Sequence, residues 1–210
     1  MKKYEFTGET KEIVLYGKKV TLHRIKAVIE FGLIKAGEVG GWIEKESNLS
    51  HDNKSWVWGN AEVWGDAKVW GNAKVCGNAK VWGDAKVWGD AKVWGNAKVW
   101  GDAEVWGDAK VWGDAKVWGD AKVWGNAEVF QMDHILVIGP AGSRNDFTTF
   151  FRDADNEITV KCGCFLGKID KFLEKVTQTH KDNKYAVVYR AAVELAKLQI
   201  DLPEECKEDE

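Results

Sequence analysis

From Val57 to Glu128 the chain repeats one hexad, V-W-G-[D/N]-A-[K/E], twelve times without a slip of register. Every hexad keeps its Val, Gly and Ala; eleven have Trp in second place, and Cys76 is the exception. A thirteenth start, Val129-Phe130, ends the run. A period of six does not return to one face of an α-helix, so a helix is excluded. The period fits a short strand, Ala-Lys-Val-Trp, followed by a two-residue corner, Gly-Asp or Gly-Asn. Side chains alternate along a strand, so Val and Ala point inward while Lys and Trp point outward. Gly, Asn and Asp tolerate the positive φ that a sharp corner needs.

An aliphatic residue every six, with a small residue four places later, resembles the hexapeptide repeat of left-handed parallel β-helices. In that family three hexads make one triangular coil of 18 residues, so the resemblance implies a mostly β, single-stranded left-handed parallel β-helix of about four coils. The hand comes from the resemblance, and a right-handed solenoid stays open as an alternative. The passage HRIKAVIEFGLIKAGEVGGWIEKESNLS, directly before WVWGNAEVWG, is similar to the N-terminal leader of a bacterial and prophage group of hexapeptide-repeat proteins. Members of that group are described as transferase-like or polymer-forming, without a secure activity.

With an 18-residue coil, residues 18 apart stack in columns. One face carries Trp64, Trp82, Trp100 and Trp118, and a second carries Trp70, Trp88, Trp106 and Trp124. The third carries Trp58, Cys76, Trp94, Trp112 and Phe130, a ladder with a gap. Lys columns run beside them. One corner column is all acidic, Asp66, Asp84, Asp102 and Asp120. It reads as turn formers answered by nearby Lys. A calcium edge is the alternative, although calcium wants six to eight oxygens.

Three regions follow: a β-rich N-terminal cap over 1–56, the repeat over 57–130 and an α+β C-terminal cap over 131–210. In the first, Glu12–Tyr16 and Lys19–Ala27 read as a hairpin turning at Gly17-Lys18. In the last, Ile135–Ile138, Phe147–Arg152 and Glu157–Lys161 read as strands. Ile169, Phe172, Leu173 and Val176 mark the apolar face of one helix. Val188, Ala191, Ala192, Leu195 and Leu198 mark that of another, with Asp182 as its cap. The two helices are expected to cover the open end of the solenoid, and the acidic tail Glu204–Glu210 to fray.

Composition removes several function classes. With 30 Lys+Arg against 33 Asp+Glu the net charge is −3, and the hexads carry nine Lys against three Glu and seven Asp, a net of −1. Neither suits the positive groove that nucleic acid wants. The N-terminus has no apolar signal-like run and nothing approaches a membrane span, so a cytoplasmic protein is expected, and the resemblance of the leader implies a phage-encoded one. Four cysteines are too few for a disulfide scaffold and read as reduced thiols.

Hexapeptide-repeat acyltransferases generally use a histidine near a subunit interface, and the related carbonic anhydrases bind metal through several. Here His23, His51, His134 and His180 all lie outside the hexads, and the repeat has no inserted loop. No catalytic residue, metal site or cofactor is therefore assigned, and enzymatic activity is not favoured. Cys162, Cys164 and His180 read as structural rather than as a zinc or thiol site. The segment Gly139–Arg144 reads as an ordinary loop rather than an anion cradle.

The outward tryptophans are the strongest functional clue, because a contiguous apolar patch of several hundred Å² usually marks an interface. Trp58, Trp64, Trp70, Trp82, Trp88, Trp94, Trp100, Trp106, Trp112, Trp118 and Trp124 are the candidate ligand or interface residues. The expected function is a non-enzymatic, rigid structural or self-assembling module: the Lys-flanked ladders either stiffen a thin solenoid themselves or mediate self-association, most naturally as a trimer. The alternatives are a glycan or other ring-bearing ligand on the ladders, and an acyltransferase.

Overall fold

The computed structural model describes residues 2–15 and 17–202; the tail Glu204–Glu210 and Cys206 lie outside the described residues. The chain runs through two long strands, β1 (Tyr4–Leu15) and β2 (Lys18–Ala27), then β3 (Val39–Ile43) and the two-residue strands of the repeat. Three stacks of parallel strands enclose the core. The first holds β5 (Glu62–Val63), β8 (Lys80–Val81), β11 (Lys98–Val99) and β14 (Lys116–Val117). The second holds β6 (Lys68–Val69), β9 (Lys86–Val87), β12 (Glu104–Val105) and β15 (Lys122–Val123). The third holds β4 (Trp56–Val57), β7 (Lys74–Val75), β10 (Lys92–Val93), β13 (Lys110–Val111) and β16 (Glu128–Val129).

Pairing follows the 18-residue offset throughout the hexads, as in Lys80 with Lys98 and Val81 with Val99. Backbone bonds extend each ladder beyond the two strand residues: Lys80 N donates to Ala97 O at 2.9 Å and Trp82 N to Val99 O at 3.0 Å. The hexad's Val and Ala side chains are fully buried and form one continuous core. The inner corners, Gly65 to Gly113, need glycine twice over. Gly71 has φ +67°, and a Cβ on it would stand 2.9 Å from the amide nitrogen of Gly89 in the next coil. The conformation suits glycine, and the stacking leaves no room for anything larger.

The solenoid has about five turns, one more than the four that the hexads alone imply. The extra turn lies upstream. β3 pairs in parallel with β5, Trp42 opposite Glu62 and Ile43 opposite Val63, and Leu49 bridges Val69. These offsets are 20 residues, and they tighten to 18 only where Trp56 meets Lys74. Trp56 stands in the place of a hexad lysine yet is fully buried. Tyr4 and Phe31 lie edge-on to its ring at 6.1 and 5.4 Å.

The β1–β2 hairpin adds antiparallel to β3 and so lengthens the first sheet. Its Leu22, with Ile13, Leu15 and Val20, packs on Trp42 and Trp64.

The other end is closed by an antiparallel sheet in the order β17 (Ile135–Ala141), β18 (Asp146–Arg152), β19 (Ile158–Cys162) and β20 (Phe165–Lys168). β20 is an addition to the three strands expected. Alternation sorts its residues: Ile135 and Phe151 join the solenoid core, whereas Phe150 and Val160 face the helices α1 (Ile169–His180) and α2 (Lys184–Gln199). Lys122 N donates to Thr149 Oγ1 at 2.9 Å, and Ala154 N to Asn126 O at 3.1 Å. The sheet thus closes the solenoid, and the expectation that the helices do so is corrected: they form the layer behind it.

α1 buries Ile169, Phe172 and Val176 as expected. For α2 the expected face is corrected. Ala186, Tyr189, Ala192, Val193 and Ala196 are buried, while Val188, Leu195 and Leu198 are exposed. Its cap is Asn183, whose side chain accepts from Tyr185 N and Ala186 N. Asp182 instead accepts from Arg190 at 3.2 Å. Among the described residues no helix is long and apolar enough to cross a membrane.

Candidate binding surface: the tryptophan ladders

Coil stacking sets most outward Trp rings directly above the next ring of their column. In the first ladder Trp64–Trp82 and Trp82–Trp100 have centroids 5.0 and 4.9 Å apart and planes within 2°. Trp100–Trp118 opens to 5.5 Å and 15°. In the second, Trp70–Trp88 is stacked at 4.9 Å and Trp88–Trp106 at 5.5 Å, but Trp124 stands edge-on to Trp106 at 85°. In the third, Trp94–Trp112 is stacked at 4.9 Å and Phe130 continues the ladder at 4.9 Å. Offset-stacked aromatic pairs contribute about 0.5–1.5 kcal/mol each beyond the area they bury.

Ring faces therefore meet ring faces, and the surface is drier and narrower than eleven outward indoles suggest. Only Trp118 is as much as 43 % exposed; Trp64 is buried under the hairpin, and the remaining hexad tryptophans are half-buried. What solvent meets is mainly indole edges beside lysine stems.

Each Lys column contains one Glu, and each of those Glu residues is paired. Glu62 lies 2.8 Å from Lys11 and 3.0 Å from Lys80, Glu104 lies 3.6 Å from Lys86, and Glu128 lies 2.7 Å from Lys110. Burial alone would raise the pKa of Glu62, but hydrogen bonds from Lys11 and Lys80 outweigh it and hold the group below its ordinary value.

Shallow grooves run between the Lys and Trp columns. One of about 600 Å³ lies on the second face beside Trp70, Trp88 and Trp106. Another of about 590 Å³ lies on the third face beside Cys76, Trp94 and Trp112. Around the edge from it, Trp58 borders a groove of about 540 Å³ with Lys54, Lys74, Asp90 and Asp108. Cys76 is half-buried at the gap. Burial pushes its thiol pKa up, against a weaker opposing effect of Lys74.

The corner columns are polar ladders. Asn60, Asn78, Asn96 and Asp114 are linked by amide hydrogen bonds of 3.4, 3.3 and 3.2 Å. In the acidic column Asp66 is held by Lys45 at 2.7 Å, which keeps its pKa below the usual range. Among the described residues no group of three or more His, Cys, Asp or Glu side chains is placed to hold a metal ion.

The four histidines are dispersed. His23 stacks on Phe6 and His51 on Tyr4, His134 stands edge-on to Phe130, and His180 lies 3.3 Å from Ser143 Oγ. Burial pushes the pKa of His134 down, and the Arg152 charge adds to this. Cys162 Sγ accepts from Thr148 Oγ1 at 3.2 Å, and Cys164 is exposed in the turn before β20. Ser143 N in the Gly139–Arg144 loop donates to the Tyr189 hydroxyl at 3.2 Å.

Two features of the surface carried no signal in the repeat. Lys161, from β19, lies 3.8 Å over the ring of Trp124, and Trp58 donates its indole N–H to Glu38 at 3.3 Å. Both partners lie outside the hexads, so no periodicity could point to them. No protein-family model matches the chain, and no curated protein matches it.

Proposed function

We propose that the chain is a non-enzymatic, rigid scaffold module that self-associates through the solenoid faces its N-terminal hairpin leaves open, a trimer being the expected assembly. The observation that carries the scaffold reading is the stacking of indole on indole at 4.9–5.5 Å along three columns. Aromatic ladders outside a Val/Ala core stiffen a stack whose inner side chains are small. Self-association draws support from the half-buried indole edges and lysines on the second and third faces. A left-handed winding and a bacterial or prophage setting in the cytoplasm go with this reading, supported by the resemblance to hexapeptide-repeat proteins alone.

The test combines light scattering with small-angle X-ray scattering, on the natural chain and on a variant with one 18-residue coil duplicated. A scaffold keeps its folded signature and lengthens by about 4.8 Å, one strand spacing. A variant that unfolds or does not lengthen defeats the scaffold reading. A monomer at every concentration defeats the assembly.

A second reading, a glycan or other ring-bearing ligand on the ladders, is favoured by the open grooves of about 590 and 600 Å³ beside the indoles. Saturable binding of an oligosaccharide, lost in Trp88→Ala, would support it.

A further inference from the structure

The third ladder has a vacancy. Cys76 occupies a position where eleven hexads carry an indole. One coil below it, Trp94 stacks on Trp112 at 4.9 Å with planes 2° apart. The upper face of Trp94 has no aromatic partner among the described residues, because its stacking neighbour would be residue 76. One coil above, Trp58 does not fill the space: its indole N–H is tied to Glu38, and it borders the neighbouring groove instead. The opening at Cys76 and Trp94 belongs to a groove of about 590 Å³ flanked by Lys74 and Lys92. Among the described residues neither lysine is in an ion pair, whereas Lys110 further along the same column is taken by Glu128 at 2.7 Å.

We propose that the gap at Cys76 is a binding slot for a planar aromatic anion, whose ring stacks on the free face of Trp94 in the place of the missing indole while Lys74 and Lys92 receive its negative group. The ladder itself supplies the template: in the coils below, Trp94, Trp112 and Phe130 show flat rings seated in the equivalent place. A stacked ring regains contact that an open groove leaves to water, and unpaired ammonium groups at its edge favour an anionic substituent over a neutral one. This inference is independent of whether the module acts as a scaffold.

The probe is indole-3-acetate, with cyclohexylacetate as a non-planar anion of the same charge and indole as the neutral ring. Three proteins are titrated by calorimetry: the natural chain, Cys76→Ala, which keeps the slot open, and Cys76→Trp, which fills it with the repeat's own residue. Stacking predicts that the natural chain and Cys76→Ala bind indole-3-acetate saturably with a Kd near ~1 mM or tighter, and that Cys76→Trp binds at least about tenfold more weakly. Cyclohexylacetate and indole are each expected to bind the natural chain more weakly than indole-3-acetate. Equal binding by Cys76→Trp, equal binding of cyclohexylacetate, or no saturation in the natural chain overturns the proposal. A second readout needs no variant: saturating probe should slow alkylation of Cys76 by iodoacetamide while leaving exposed Cys164 unaffected. An unchanged rate at Cys76 overturns the proposal even if Cys76→Trp fails to fold.

Discussion

The ammonium of Lys161 stands 3.8 Å from the ring centre of Trp124, and that ring is turned 85° from its neighbour Trp106. The end cap thus occupies the last indole of the second ladder with a cation, where the stack would otherwise continue ring on ring. Lys161 also donates to the carbonyl of Gly163, and burial holds its pKa below the ordinary lysine value. Lys161→Met should release Trp124 to stack on Trp106 and so strengthen the excitonic couplet of the indoles in circular dichroism. Lys171→Met, in the same cap but exposed on α1 and away from the ladder, is the control. An unchanged couplet in Lys161→Met would mean that the edge-on ring has another cause.

At the opposite end, stability should vary with pH in a way set by two neighbours. Lys3 is buried, with its Nζ donating to Ser55 O at 2.8 Å, and burial lowers its pKa to about 8 against an opposing pull from Asp52. Between pH 8 and the unfolded lysine value the unfolded chain binds more protons, so stability rises with pH there. Tyr4 behaves oppositely: burial, and then the charge of Glu46, raise its pKa above the ordinary value. Above about pH 10 the unfolded tyrosine ionises while the folded one does not, and stability falls. Urea denaturation from pH 7 to 11 should therefore show a maximum near ~10. Lys3→Met should flatten the rising limb and Tyr4→Phe the falling one. A rising limb that survives in Lys3→Met would count against this assignment.

Two corner glycines separate the conformational requirement from the stacking one. Gly71 has φ +67° and a crowded Cβ position, whereas Gly119 has φ +61° and nothing within 4 Å of that position. Gly119→Ala should cost about 1 kcal/mol for the left-handed backbone alone. Gly71→Ala should cost more, ~3 kcal/mol, because the next coil must also move. Equal losses in thermal denaturation would show that the coils separate freely.

Asp153 joins the cap to itself. Its carboxylate is fully buried and accepts from Asp155 N at 3.0 Å, Glu157 N at 3.2 Å, Lys168 Nζ at 2.6 Å and the Thr159 hydroxyl. Burial works against the Lys168 charge, but hydrogen bonds to Asp153, Glu157 and Asp155 outweigh it and raise its pKa. Asp153→Ala leaves those donors unanswered and should cost about 3 kcal/mol. The same substitution at exposed Asp155, which also meets Lys168 at 3.1 Å, should cost far less, because solvent screens that pair.

The repeat was legible because its physics is local and periodic: Val and Ala inward, Lys and Trp outward, a glycine at each corner. The hairpin and three of the four cap strands were legible for the same reason. The first turn was not, because Trp42, Ile43 and Leu49 follow a 20-residue offset and the 18-residue one begins only at Trp56. The buried face of α2 was misread because it is built from Ala186, Ala192, Ala196 and Tyr189, while the larger apolar side chains Leu195 and Leu198 face solvent. In the ladders the sequence placed the indoles in columns. It carried no sign that Lys161 would lie over an edge-on Trp124, or that the hairpin would bury Trp64.

A slip of the stack by one coil would set Val against Val, Ala against Ala and, at most levels, Trp against Trp, so the hexads cannot tell one level from the next. The information that counts the levels lies in what does not repeat. At one end it is the longer first turn, in which the fully buried Trp56 replaces a lysine. At the other it is Phe151 and Thr149, seated on the last turn. The ends act as the zero marks of a ruler whose graduations are identical, and exchanging or damaging an end should shift the whole scale rather than one line of it.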